Sequence, residues 1–252
     1  MKQVRFEENE MPYQTLAKYG LTQEKIEDLP LWALEDIGQG RHSPVLPIQV
    51  TDEDGNSYTA RTRFALMRMD DGSVDVMFYP QLEKTPMENY TKEQQEELLA
   101  GKAIMVDTAD ENNRKTKVFV QIDQETNQVM SVSTRVIGRN LDVLKDALKL
   151  SNAEVSVMQK GEPLTFFMEN EQITAGIDLN DKTGIRIAQG DSQKWKETNK
   201  KDWDKYTFGC YGCWVMDDDG NLDYVPEEEY TEELWNEQKK QGMRNVTHSM
   251  HK

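Results

Sequence analysis

The chain has 252 residues, with 30 basic side chains against 46 acidic ones, a net charge of −16 and a pI near 4.7. That balance excludes a generic DNA coat, which needs basic surface. Two cysteines exclude a disulfide scaffold, and no run approaches the ~18 apolar residues of a membrane span. At 37% hydrophobic and 30% charged, the chain can still build a modest core. The first residues carry no apolar signal stretch, so a cytoplasmic location is expected. Charge is uneven: residues 1–90 hold nine basic and 16 acidic side chains, residues 91–150 nine and ten, residues 208–252 four and ten. Acid therefore gathers at the two ends. A solvated surface accounts for that as simply as a function does.

In chain order, residues 12–19 and 22–28 read as short entry helices. Pro30 opens another, at the position where its missing N–H costs nothing. Trp32, Leu34 and Ile37 line one side of it, and Gly40 stops it. Pro44 and Pro47 make the next stretch extended. A hairpin follows, turning at Asp70-Asp71-Gly72, with Val74, Val76 and Phe78 alternating. The pattern then recurs. Thr91 with Gln94, and Ser151 with Glu154, form capping boxes that satisfy backbone N–H groups at a helix start. Each reaches a glycine ten residues on, Gly101 and Gly161, suited to the left-handed turn after a helix. An apolar run and a hairpin follow each, through Thr126 in one copy and Thr183 in the other. Ile173, Ala175, Ile177 and Leu179 alternate with small or polar residues, as a sheet with one wet face requires. Between these copies, Asn140 is expected to cap a helix over 141–150, with Leu141, Leu144 and Leu148 on one face. The duplication predicts that 91–135 and 151–190 superpose, with Gly101 on Gly161 and Thr126 on Thr183.

The C-terminal stretch differs. Residues 192–205 read as a polar helix with Trp195, Trp203 and five lysines. A hairpin turns at Asp219-Gly220, and 231–241 closes as a helix, with a frayed tail beyond. The expected fold class is α+β: three repeated units of one helix plus an antiparallel hairpin or three-stranded meander, with a helical N-terminal entry and a C-terminal helix–hairpin–helix extension. The expected divisions are 1–90, 91–190 and 191–252.

Candidate chemistry is sparse. Cys210-Tyr211-Gly212-Cys213 lacks a second ligand pair for zinc, apart from His248 and His251 in the tail. It runs into a strand, whereas a redox pair opens a helix. Two half-buried thiols in a hairpin are expected, and no metal. In Asp217-Asp218-Asp219-Gly220-Asn221, placing Gly220 at the sixth position of a calcium loop puts Val215 at the first, which cannot ligate. No phosphate loop or nucleophile elbow occurs. Two basic spots could hold an anion beside a helix end: Arg41-His42 and Arg139-Asn140. Lys194, Trp195, Lys201 and Trp203 suggest a ramp on which bases stack, although a docked helix with solvated lysines explains the same residues. Gly40, Gly72, Gly101, Gly161 and Gly220 are the expected structural turns.

The stretches Gly40-Arg41-His42-Ser43-Pro44-Val45-Leu46-Pro47, Arg63-Phe64-Ala65-Leu66, Leu99-Ala100-Gly101-Lys102-Ala103-Ile104, Val136-Ile137-Gly138-Arg139-Asn140-Leu141 and Gly176-Ile177-Asp178-Leu179-Asn180, with the hairpin at 214–224, carry a resemblance. Together they resemble an uncharacterised domain-of-unknown-function family of Bacteroidetes proteins found on conjugative transposons and related mobile elements. The resemblance implies a bacterial setting beside DNA-transfer or anti-defence functions, and it supplies no catalytic residues. Three functions stand. The first is a non-enzymatic interaction module serving a mobile element, with an unidentified protein partner, no cofactor and no membrane. The second is an acidic DNA mimic that blocks a restriction or DNA-binding enzyme. The third is a metal-dependent nuclease or hydrolase with an unmarked carboxylate site. Tight duplex DNA binding is not expected, and the oligomeric state is open.

Overall fold

The computed structural model describes residues 6–51, 54–109, 113–197 and 203–249, with side chains to Gly242. In chain order these residues form α1 (Tyr13–Ala17), α2 (Gln23–Glu27), α3 (Leu31–Gly38), β1 (Leu46–Thr51), β2 (Ser57–Arg68), β3 (Val74–Pro80), α4 (Lys92–Leu99), β4 (Ile104–Ala109), β5 (Lys115–Asp123) and β6 (Gln128–Ser133). They continue as α5 (Thr134–Leu148), α6 (Asn152–Gln159), β7 (Leu164–Met168), β8 (Glu171–Ile177), β9 (Ile185–Gln189), α7 (Ser192–Glu197), β10 (Tyr206–Phe208), β11 (Gly212–Met216), β12 (Leu222–Pro226) and α8 (Glu232–Ser249). The fold is α+β, and every sheet is a three-stranded antiparallel meander: β1-β2-β3, β4-β5-β6, β7-β8-β9 and β10-β11-β12. No helix among the described residues is long and apolar enough to cross a membrane.

The chain divides into two compact units. Unit 1 joins Met1–Gln81 with Asp202–Lys252, and unit 2 is Leu82–Lys201. The C-terminal extension thus belongs with the N-terminal region, a long-range pairing that composition does not reveal. Unit 1 is built on Leu16, Leu21, Ile26, Ile37, Leu46, Phe64 and Trp214, all fully buried. Ser43 sets its register. The Ser43 hydroxyl accepts the Phe64 N–H at 3.0 Å, and the Ser43 N–H donates to the Phe64 carbonyl at 2.7 Å.

Unit 2 holds two stretches of helix and three-stranded meander, the two expected to be copies. Both capping boxes form, at Thr91 with Gln94 and at Ser151 with Glu154. Gly101 and Gly161 turn the chain at φ +79° and +80°. Ile104 pairs with Val120, and Leu164 with Ala175, so the first strands enter at the same distance from their glycines. Val120 and Ala175 then face Ser131 and Ile187. By that register Thr126 and Thr183 fall two positions out of step along β5 and β8, and one when counted back from Ser131 and Ile187, so they do not superpose. The copies diverge in covering: Leu98 of α4 packs with Ile104, Val120 and Ile122, whereas α5 and α6 share a core with Phe119, Ala175, Ile177 and Ile185. Gln121 ties the copies together, donating to the Gly101 carbonyl at 3.0 Å and accepting the Leu179 N–H at 2.6 Å.

Four expectations change. Asn140 does not cap a helix: α5 starts at Thr134 under a Ser133 cap, because the buried stripe of Ile137, Leu141 and Leu144 extends back one turn. Of the helix expected over 192–205, α7 covers Ser192–Glu197, 198–202 lie outside the described residues, and 203–205 are not helical. Lys201 lies outside the described residues. The C-terminal hairpin gains a third strand, β10, whose three residues show no readable alternation. Finally, α8 runs through Gly242 to Ser249, past the expected stop.

Candidate functional site

The basic spots from the sequence belong to different units, Arg41-His42 to unit 1 and Arg139-Asn140 to unit 2. Arg41 pairs with Asp36 at 2.6 Å and donates to Gln39 at 3.0 Å, so it braces the end of α3. His42 stacks edge-on against Tyr79, centroids 4.5 Å apart. Arg139 is exposed in the middle of α5, away from any helix N-terminus. Asn140 donates to the Thr183 carbonyl at 2.7 Å and clips α5 to the β8–β9 turn. The anion reading of Arg139-Asn140 therefore fails, since mid-helix N–H groups are already bonded.

The lysine and tryptophan ramp is divided between the two units. Trp195 is buried in unit 2, where α7 closes over β8 and β9. Its Nε1 donates to the Arg186 carbonyl at 3.1 Å, and Arg186 donates back to the Trp195 carbonyl at 2.6 Å. The guanidinium also lies 3.8 Å from the indole centroid and pairs with buried Asp178 at 2.7 Å. Gly176 makes room for that indole. Trp203 belongs to unit 1 and meets Trp32 edge-on at 5.4 Å. An indole used in this way is not a platform for bases. Lys194 is exposed beside Trp195.

Sequence reasoning missed Asp28, a buried carboxylate of unit 1 that accepts from three donor groups. It ends α2 at 4% exposure. Its oxygens accept the Cys210 N–H at 2.6 Å, the Tyr211 N–H at 3.0 Å and the Tyr224 hydroxyl at 2.6 Å. Nearby, Trp214 donates to the Lys25 carbonyl at 3.1 Å. Asp28 thus fixes the turn that carries the cysteines, and Gly209 exists without a side chain where the carboxylate sits. Cys210 is exposed and Cys213 buried. Burial pushes the Cys213 thiol up to about 12, opposite to what a nucleophilic thiol needs. Burial and then the Asp28 bond also push the Tyr224 hydroxyl up. A lone Asp before Leu-Pro gave no signal of this, because its partners lie about 180 residues away. At the other hairpin, Asp217 accepts the N–H groups of Asp219 and Asn221 at 3.0 and 2.7 Å, which spends it on the turn. The glycines expected at turns, Gly40, Gly72, Gly101, Gly161 and Gly220, all have positive φ. Among the described residues no three His, Cys, Asp or Glu side chains are grouped to hold a metal ion. His251 lies outside them.

Two concave surfaces stand out among the described residues. On unit 1 a shallow, open cleft of about 540 Å³ is lined by Glu7, Glu8, Asn9, Tyr13, Gln23 and Glu27. Burial, then the charges of Glu27 and Glu8, push the Tyr13 hydroxyl up. Glu27 foremost does the same to Tyr211. Both tyrosines register a negative field. It belongs to a unit with 13 basic and 26 acidic side chains, net −13, whereas unit 2 has 17 and 20, net −3. On unit 2 a cleft of about 480 Å³ has a floor of Val106, Val118 and Val120 under a rim including Asn89, Tyr90 and Thr108.

Residues 6–90 match a family model described as a protein of unknown function, DUF4099. The match spans the helical entry and the first meander, and it supports a relationship to an uncharacterised domain-of-unknown-function family. No curated protein matches the chain. No solved structure matches it either.

Proposed function

We propose that the protein is a non-enzymatic interaction module, an adaptor or accessory of a bacterial mobile element, that docks a basic protein partner on the acidic face of unit 1. The observation that carries this reading is the concentration of charge: unit 1 holds −13 of the chain's −16, beside a cleft where Tyr13 stands among Glu7, Glu8 and Glu27. Carboxylates around an aromatic ring suit lysine and arginine side chains, which pair with the acids while their stems or guanidinium planes lie on the ring. The buried acids support the non-enzymatic part. Asp28 and Asp123 hold turns, and Asp36 and Asp178 hold arginines, so each is committed to structure. The mobile-element setting rests on the resemblance in the sequence.

The test is affinity purification of the full chain from its native host, with and without nuclease. It is run beside a variant carrying Glu7→Gln, Glu8→Gln and Glu27→Gln. A basic protein retained at low salt, released at high salt and lost with the variant supports the reading, because exposed charge pairs are screened. Equal retention by the variant sinks it. The same charge excess favours one other reading, an acidic mimic of duplex DNA. A retained DNA-binding enzyme that duplex DNA displaces would decide for that mimic.

A further inference from the structure

We propose that β7 is the seam of a two-fold homodimer, in which the β7 strands of two copies pair antiparallel and join two three-stranded sheets into one of six strands. The inference concerns unit 2 and is independent of the acidic face. A sheet edge offers unpaired N–H and C=O groups, and proteins guard such edges with charge or proline. Four of the other edge strands follow that rule. Pro47 lies in β1, Asp75 and Pro80 in β3, Asp107 in β4, and Asp223 and Pro226 in β12. Among the rest, β6 has neither charge nor proline but carries Gln128, Ser131 and Ser133, β9 turns Arg186 onto Asp178 and Trp195 with α7 packed beside it, and β10 is three residues long. By contrast β7 reads Leu164-Thr165-Phe166-Phe167-Met168, with no charge, no proline and one hydroxyl. Among the described residues its backbone bonds only within the ladder to β8. Phe167 is 75% exposed and Met168 44%, an apolar pair left in water at a strand of high β propensity.

Charge points to a second copy as the occupant. Exposed Lys160 stands before β7, where the nearer Glu162 is spent on Lys102, while exposed Glu169 and Glu171 stand after it. Antiparallel pairing about a two-fold axis sets the lysine end of one strand against the glutamate end of the other, twice. Unit 2 is also nearly neutral at −3, so two copies meet there without the repulsion that unit 1 would impose. A five-residue seam lies at the small end of interfaces, so association is weak, with Kd on the order of 10 µM.

Sedimentation velocity of the full chain from ~1 to ~100 µM tests this, since mass action drives the equilibrium across that range. The wild type should pass from monomer to dimer, with hydrogen exchange at 164–168 slowing as concentration rises. Phe167→Lys changes an exposed side chain, should keep the wild-type melt and should stay monomeric. Lys160→Glu alone and Glu171→Lys alone should each weaken the dimer at least tenfold. An equimolar mixture of these two variants should dimerise again, because both charge pairs are then opposite. A wild type monomeric at the highest concentration overturns the proposal, as does a dimer indifferent to Phe167→Lys. A mixture that stays monomeric overturns the antiparallel arrangement. A monomer whose 164–168 amides are protected only by an added apolar peptide assigns the edge to a foreign strand, against a second copy.

Discussion

Asp28 gathers three donors onto one carboxylate at the end of α2. Asp28→Ala takes the acceptor from two backbone N–H groups and a hydroxyl in a half-buried place, at about 1–3 kcal/mol per unsatisfied group before water replaces the bonds. A net loss of about 3 kcal/mol is expected in urea unfolding. Asp28→Asn should cost less, since an amide still accepts through one oxygen. A midpoint unchanged in both would show that the bonds add nothing. The cysteines give a chemical readout of the same turn. A disulfide reagent should modify one thiol per native chain, Cys210, and two after unfolding. Two fast thiols in the native chain would place Cys213 outside the core. Folding raises the Cys213 pKa from 9.0 to about 12 by burial, which favours the protonated thiol. Its contribution is complete below pH 9 and is lost as pH rises toward 12. Tyr230, also pushed up by burial, acts in the same direction. The thermal midpoint should therefore fall over that alkaline range, and Cys213→Ala should flatten the fall. An equally steep fall in the variant would remove Cys213 from the cause. The two thiols in a hairpin were legible from where the pair stands in sequence. Their anchor was not, because a hydrogen bond between residues 28 and 210 leaves no local pattern.

The helix stops in unit 2 are local and were legible for that reason. Capping boxes and positive-φ glycines act within about ten residues, so Thr91 to Gly101 and Ser151 to Gly161 showed themselves in sequence. The structure adds an inequality between the glycines. A Cβ at Gly161 would press into the Ala103 carbonyl, whereas at Gly101 it would meet the flexible end of Gln124. Gly101→Val should cost about 1–3 kcal/mol from backbone strain, and Gly161→Val distinctly more, because backbone must move as well. Thermal melts of the two variants check the order, and equal losses would mean that the Ala103 contact relaxes freely. Helix starts were less secure. Asn140 has the chemistry of a cap, but Ile137, buried on the same face as Leu141 and Leu144, carries α5 past it. The long α7 failed for the opposite reason: after Trp195 no apolar side continues, and the lysines add no packing. At β10 three residues are too few for period-two alternation to register.

At the scale of the molecule, the charge asymmetry was visible as acid at both ends of the sequence. Its meaning needed the fold, which returns the C-terminal residues to the N-terminal unit. A surface at −13 repels a polyanion, so binding to duplex DNA at physiological salt should be no tighter than the ordinary non-specific range of about 10⁻⁴ to 10⁻⁶ M. A gel-shift titration at two salt concentrations measures it. Sub-micromolar affinity with a steep salt slope would mean that scattered lysines and arginines form a patch. The central claim is that unit 1 meets a basic protein through the carboxylates of its cleft. The most direct measurement is zero-length cross-linking of carboxylates to amines in native lysate, read by mass spectrometry. The account predicts links from Glu7, Glu8 or Glu27 to lysines of another protein, lost at high salt. Links to other proteins arising only from unit 2, or none above a chain with those three residues changed to Gln, would contradict it.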